Sequence, residues 1–148
     1  MFAEYGFIDK MPRNDALLEE VFKFDPRNLE QTRSITISKY TIALAQYVIY
    51  LNSQINKKRM LLMQKRRTLE IQVNQSDVKA KTKIEKKRIV IDNDEALVII
   101  EQGIYKLEDE LALLDGSVNY FIELINAFKR ELTRREKELE WTRYERRN

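Results

Sequence analysis

The side chains in this sequence best placed to do chemistry are cations. Residues 57–90 hold twelve of them, Lys57, Lys58, Arg59, Lys65, Arg66, Arg67, Lys79, Lys81, Lys83, Lys86, Lys87 and Arg88, against the acidic Glu70, Asp77 and Glu85. Such a density suits phosphate: each cation that neutralises one releases condensed counterions, giving an affinity that falls with salt. Residues 91–128 reverse the sign, with nine acidic side chains and one basic. The chain's net charge of +3 therefore conceals a block of +9 followed by a block of −8. Two causes produce this pattern. One is an anionic partner such as nucleic acid. The other is pairing of the two blocks, within a chain or between subunits. Pairing alone does not require the cations to come in separate clusters, which favours nucleic acid.

Other chemistries lack their residues. Histidine and cysteine are absent, which removes the commonest general base, the commonest metal ligand and all thiol chemistry. No metal site and no cofactor is expected. Three glycines do not make a phosphate-cradling loop. Acid pairs such as Asp92 with Asp94, or Glu108 with Asp109, read as single features of a polar face. The expectation is a non-enzyme. The opening MFAEYGFIDK has no basic stretch leading into an apolar core, and no run of eighteen apolar residues occurs. These features predict a cytoplasmic protein with no membrane partner.

The elements that position the cations follow from spacing. Leu97, Ile100, Ile104, Leu107, Leu111, Leu114, Val118, Phe121, Ile125, Phe128 and Leu132 alternate steps of three and four without a slip. That 3.5-residue period is the seam of a left-handed supercoil. The next steps fall on Arg135 and Leu139. A helix this long, about 75 Å at 1.5 Å per residue, either packs inside its own chain or self-associates. Self-association is favoured, because one short chain has little else to cover it. Beyond Leu132 the helix carries interleaved charges, including the i,i+4 pair Glu131 and Arg135, and then Trp141 and Tyr144. Gly103 and Gly116 inside it mark close backbone packing or a slight bend.

Upstream, Asp25-Pro26 reads as an N-cap with proline in the first turn, opening a long helix to about Gln75. Its stripe of Ile37, Leu44, Val48, Leu51, Ile55, Leu62, Leu69 and Val73 is interrupted by Lys58 and Arg66. Either their stems lie over the edge of the core, or the stripe faces a groove that wants positive charge. Tyr40, Tyr47 and Tyr50 on this helix read as core rather than base-stacking residues. Phe2, Tyr5 and Phe7 fall on an N-terminal arm, and Asn14 or Asp15 caps a short helix ending near Phe22. Asn74 to Asp77 breaks the long helix. Lys79 to Arg88 fits a strand or a helix equally. Around Asp92-Asn93-Asp94 a small β-hairpin over 88–100 competes with a helix stop and restart capped by Asp92 or Asn93. The restart is preferred, because the heptad register already holds from Leu97.

In order and pattern the chain resembles the UvsY-type recombination mediator proteins of T4-like bacteriophages. The resemblance is carried by Tyr50-Leu51-Asn52, Ile55 and Lys57-Lys58-Arg59-Met60-Leu61, then a polar break and the acidic turn Asp92-Asn93-Asp94. It continues with Gly116-Ser117 and Ala127-Phe128-Lys129 on the last helix. It covers roughly residues 17–140, and none of these motifs is specific alone. The sequence departs from the family pattern where Leu69 to Gln75 lacks any basic residue. The resemblance implies a homo-oligomeric ring, hexameric or heptameric, that binds single-stranded DNA. It also implies a role in loading a recombinase onto DNA covered by single-strand-binding protein.

The expected architecture is all-α, a hairpin of long amphipathic helices with a heptad coiled-coil seam. Residues 1–24 form an arm with a short helix, 25–90 the first long helix and basic nucleic-acid-binding region, and 91–148 the oligomerisation helix with a charged tail. The alternative function is a non-enzymatic coiled-coil scaffold of a virus particle or secretion assembly, with the charge blocks paired between subunits. A duplex-DNA regulator is weaker, because no helix-turn-helix spacing appears.

Overall fold

The computed structural model describes residues 15–148. The aromatic arm and Asn14 lie outside the described residues. The fold is all-α, and no strand occurs among the described residues. Helix α1 spans Asp15–Lys23, α2 spans Ser34–Gln75, α3 spans Lys83–Asp92 and α4 spans Glu95–Arg147. A 3-10 helix, Pro26–Gln31, lies between α1 and α2.

Short polar side chains set the breaks. Asp25 caps the 3-10 helix by accepting from the Arg27 N–H at 3.0 Å, with Pro26 following it. The turn then ends at Thr32, whose N–H donates to the Leu29 carbonyl. The first long helix therefore begins at Ser34 rather than at Pro26 as the sequence suggested. After Gln75, the Ser76 hydroxyl accepts from the Val78 N–H at 3.3 Å and the chain leaves the helix. Thr82 restarts it, accepting from the Glu85 N–H at 3.1 Å, with Glu85 favourably placed in the first turn. This resolves the basic tract: Lys79 and Lys81 lie in a connecting segment, while Lys83 to Arg88 are helical. The acidic triplet is a stop and restart and not a β-hairpin. Asn93 ends α3 by donating to the Ile89 carbonyl, and the Asp94 carboxylate caps α4 by accepting from the Ala96 N–H at 3.0 Å. The cap is thus Asp94, one or two residues later than expected.

The long helices α2 and α4 pack against each other. The described chain divides into two compact units, both drawing on these helices. One combines the chain up to Ser53 with Gly116–Asn148; the other is Gln54–Asp115. In the first, Leu18, Val21, Ile37, Tyr40, Leu44, Val48, Val118, Leu124, Ile125 and Phe128 are buried. Tyr40 packs with Phe24 at 5.6 Å and with Phe128 at 6.2 Å, and Tyr47 meets Phe22 at 5.3 Å and Phe121 at 5.5 Å between ring centroids. Tyr50 lies beside Tyr47 at 6.1 Å. These pairs run in opposite order along α2 and α4, so the helices are antiparallel here. In the second unit Ile55, Leu62, Leu69 and Val73 of α2, Val90 and Ile91 of α3, and Leu97, Ile104, Leu107 and Leu111 of α4 are buried.

Every seam residue is thus buried or half-buried in a single chain: Ile100, Leu114, Phe121 and Leu132 are the half-buried ones. The seam expected to assemble subunits is the intrachain core. The physical reason is that α2 presents its own apolar stripe of matching length. Each fully buried Leu, Ile or Phe contributes about 1.5–3 kcal/mol, more than any exposed contact in the chain.

Arg135 stands where the heptad loses its apolar residue, and it fastens the α2 start. Its guanidinium donates to the carbonyls of Leu29 and Glu30 at 3.1 and 3.2 Å and to the Ser34 hydroxyl at 3.0 Å. It also bonds Glu131 at 2.8 Å, the i,i+4 pair visible in the sequence. Glu131 is itself buried and receives two further bonds from Arg134. Hydrogen bonds from Arg134 and Arg135 pull its carboxyl down to about 2 from an ordinary 4.5. A depressed carboxylate contributes stability that is present above its ordinary value and is lost as pH falls through the depressed one. Glu131→Gln should therefore lower the melting temperature at pH 7, with the gap to wild type closing between about pH 4.5 and pH 2. Circular-dichroism melts across that range check this; a gap that stays constant would refute it.

The two helical glycines differ. A Cβ at Gly103 would stand 3.3 Å from the Lys65 ammonium, so the Lys65 stem lies across α4 at this point, a side-chain contact where the sequence suggested close backbone packing or a bend. A Cβ at Gly116 would meet nothing within 4 Å. Gly116→Ala should stabilise by about 1 kcal/mol, the helix-propensity difference, and Gly103→Ala by less. Denaturant midpoints measure both, and destabilisation by Gly116→Ala would contradict this packing.

Candidate nucleic-acid interface

All twelve cations of the basic block fall in the unit Gln54–Asp115, together with most of the acidic block. The two meet inside the chain. Lys58 donates to Glu110 at 2.6 Å and Arg66 to Glu108 at 2.6 Å. These are the two charges that interrupted the apolar stripe of α2. Their stems flank the buried Ile55, Leu62 and Leu69, and their heads reach carboxylates on α4. The interruptions are thus rungs between antiparallel helices and not a groove seeking an outside anion. The Lys58 ammonium holds the Glu110 carboxyl below the ordinary carboxylate range. Arg59 pairs more loosely with Asp115, at 3.5 Å.

Arg88 ties the short helix down. Its guanidinium reaches Glu101 of α4 at 2.8 and 3.2 Å and Asp92 of α3 at 2.8 and 3.0 Å. Both acidic partners raise its already high pKa, Glu101 most. Lys58, Arg59, Arg66 and Arg88 are therefore engaged by five carboxylates of the acidic block, and Lys65 lies along Gly103.

The remainder is distributed unevenly. Lys79, Lys81, Lys83, Lys86 and Lys87 crowd into nine residues spanning the connecting segment and the first turns of α3, and none makes an ion pair among the described residues. All but the half-buried Lys86 are exposed. Arg67, exposed on α2, likewise makes no ion pair among the described residues. The neighbouring acids Asp77 and Glu85 do not neutralise the group by contact. Lys83 and Lys87, one helical turn apart, border a groove. Leu69 and Val73 of α2 and Ile104 of α4 line its apolar part, and Tyr105 stands at its edge. Glu70, Glu101 and Glu108 also line it.

The geometry thus divides the twelve expected site residues: Lys58, Arg59 and Arg66 of the α2 triplets and Arg88 of α3 are engaged with the chain's own acids, while the lysines from Lys79 to Lys87 make no ion pair among the described residues. Neither Tyr105 nor the groove is legible in the sequence. The only signal is that Tyr105 directly follows the seam residue Ile104, which places it on the flank of α4. Among the described residues no cluster of potential metal ligands occurs, and no helix is long and apolar enough to cross a membrane.

Exposed ion pairs contribute modestly, about 0.2–1 kcal/mol by double-mutant cycles. A cycle of Arg66→Ala and Glu108→Ala in urea should return a coupling in that range, shrinking at 1 M salt. A coupling indistinguishable from zero at low salt would show that the rung contributes nothing to stability. Comparison with protein-family models, curated proteins and solved structures finds no match to this chain.

Proposed function

We propose that this chain is a non-enzymatic, homo-oligomeric single-stranded DNA-binding protein that acts as a recombination mediator, helping to load a recombinase onto DNA covered by single-strand-binding protein. The observation that carries the binding role is the lysine cluster Lys79 to Lys87. Cations already paired with carboxylates release few counterions when a phosphate arrives. Unpaired cations release them in full, and that release drives nucleic-acid binding. The mediator role rests on the resemblance carried by Tyr50-Leu51-Asn52, the basic cluster after Ile55, and Ala127-Phe128-Lys129. A ring of subunits adds to affinity because linked weak sites act at high effective concentration. With the heptad seam spent within the chain, ring contacts fall to other surfaces.

One observation favours a second reading, a coiled-coil scaffold. Ile35, Ile42 and Ile49 recur every seven residues on α2 and are each more than half exposed, as are Leu139, Trp141 and Tyr144 on α4. Exposed apolar stripes of this kind mark protein contacts.

Fluorescence anisotropy on a labelled oligo-dT, titrated across salt with light scattering on the same sample, separates the two. The mediator reading expects a multi-subunit mass and a steep fall of log affinity with log salt. Alanine at Lys79, Lys81, Lys83, Lys86 and Lys87 should flatten the slope by about 0.7 for each phosphate that is no longer neutralised. Alanine at Lys58 and Arg66 should change it much less. A stable oligomer that ignores DNA at low salt would establish the scaffold instead.

A further inference from the structure

We infer that the groove between α2, α3 and α4 in the unit Gln54–Asp115 takes one unstacked base of a bound single strand, stacked on Tyr105. The inference rests on the single-strand-binding reading above and names the part of the strand this groove holds.

Four observations converge on it. First, Tyr105 is the only aromatic side chain among the described residues that packs against no other ring. Tyr40, Tyr47 and Tyr50 are all taken up in aromatic contacts. Tyr105 is 53% exposed and lines the groove, so its ring is accessible there. A free aromatic face next to cations is the element that single-strand binders use, because every base has a π-face.

Second, the groove beside it has an apolar floor. Leu69, Val73 and Ile104 are buried and line it together. An apolar floor suits the flat surface of a base and not a phosphate.

Third, the charges sort the strand. Lys83 and Lys87 lie on the α3 side and have no ion pair among the described residues. Glu101 and Glu108 are already held, by Arg88 at 2.8 Å and Arg66 at 2.6 Å. Glu70 on α2 keeps its negative charge uncompensated by an ion pair among the described residues. The unpaired cations of the groove's lining are thus on the α3 side, and on the α2 side Arg66 is held by Glu108 while Glu70 is not paired, so a phosphate is drawn to the α3 side. The backbone therefore tracks the lysines, and the base turns inward.

Fourth, the groove is braced. Arg88 binds α3 to α4 and Arg66 binds α2 to α4. A platform held by two arginine–carboxylate pairs keeps its spacing, so little ordering cost falls on the binding step.

The test compares two labelled oligonucleotides of equal length, oligo-dT and its fully abasic counterpart, by anisotropy against wild type, Tyr105→Ala and Tyr105→Trp. Stacking on one aromatic ring predicts that Tyr105→Ala weakens oligo-dT binding by about fivefold or more. Its affinity for the abasic strand and its salt slope should match wild type, and Tyr105→Trp should keep oligo-dT affinity. Circular-dichroism melts confirm that a substitution at this exposed position leaves the fold intact. If Tyr105→Ala binds oligo-dT as wild type does, or wild type binds both strands equally well, the base site is refuted while single-strand binding stands. If wild type binds neither strand at low salt, the binding reading itself falls, and the base site with it.

Discussion

A long apolar stripe on a helix must be covered, and this chain covers it with itself. The stripe of α4 runs from Leu97 to Leu132, and α2 supplies a matching one from Ile37 to Val73. In each compact unit the buried residues of the two helices form the core. Everything else in the described chain is arranged around that pairing. Helix α1 adds Leu18 and Val21 to one unit, and α3 adds Val90 and Ile91 to the other.

An apolar stripe alone does not choose between alignments, because a shift by one heptad buries similar residues. Charges choose. Lys58 with Glu110 and Arg66 with Glu108 sit where the stripe would otherwise be apolar. Arg135 does the same in the other unit, satisfying two backbone carbonyls and the Ser34 hydroxyl. A slip of one heptad would set Gly103 or Ser117 where Glu110 meets Lys58, and would take Arg135 from the carbonyls and hydroxyl it satisfies, which is costly. Their net stabilisation is small when exposed, but their cost when misplaced is not. The acidic block of α4 is therefore in part a device for alignment.

That use of charge bears on function. A segment of +9 looks from its composition like one continuous binding surface. Once the intrachain pairs are drawn, the open positive charge concentrates on Lys79 to Lys87. Of the acids that engage the α2 cations, Glu108 also lines the groove by Tyr105, together with Glu101, which holds Arg88, and Glu70. Pairing within the chain accounts for part of the basic block and leaves Lys79 to Lys87 outside it.

Local and periodic features were legible along the chain. Helix type and extent followed from steps of three and four, the breaks from Asp25-Pro26, Asn74 to Asp77 and the acidic triplet, and the Glu131–Arg135 pair from i,i+4 spacing. Tyr40 and Tyr47 were legible as packed residues because they share the helix face of Ile37 and Leu44. The partner that each feature meets emerged only from the folded chain. A 3.5-residue seam specifies that a helix will be covered, and is silent on whether by its own chain or by another. A cation in a stripe has the same spacing whether it waits for phosphate or already holds a carboxylate some fifty residues away, as Lys58 holds Glu110. Strand and helix fitted the alternating lysines equally until Thr82 was seen to cap α3, with Lys79 and Lys81 left outside it. Tyr105 carried no periodic signal, because a groove is made by three helices and no single one of them encodes it. Local hydrogen bonding and periodicity act over a few residues and can be read along the chain; pairing across a fold depends on distances that a linear sequence does not contain.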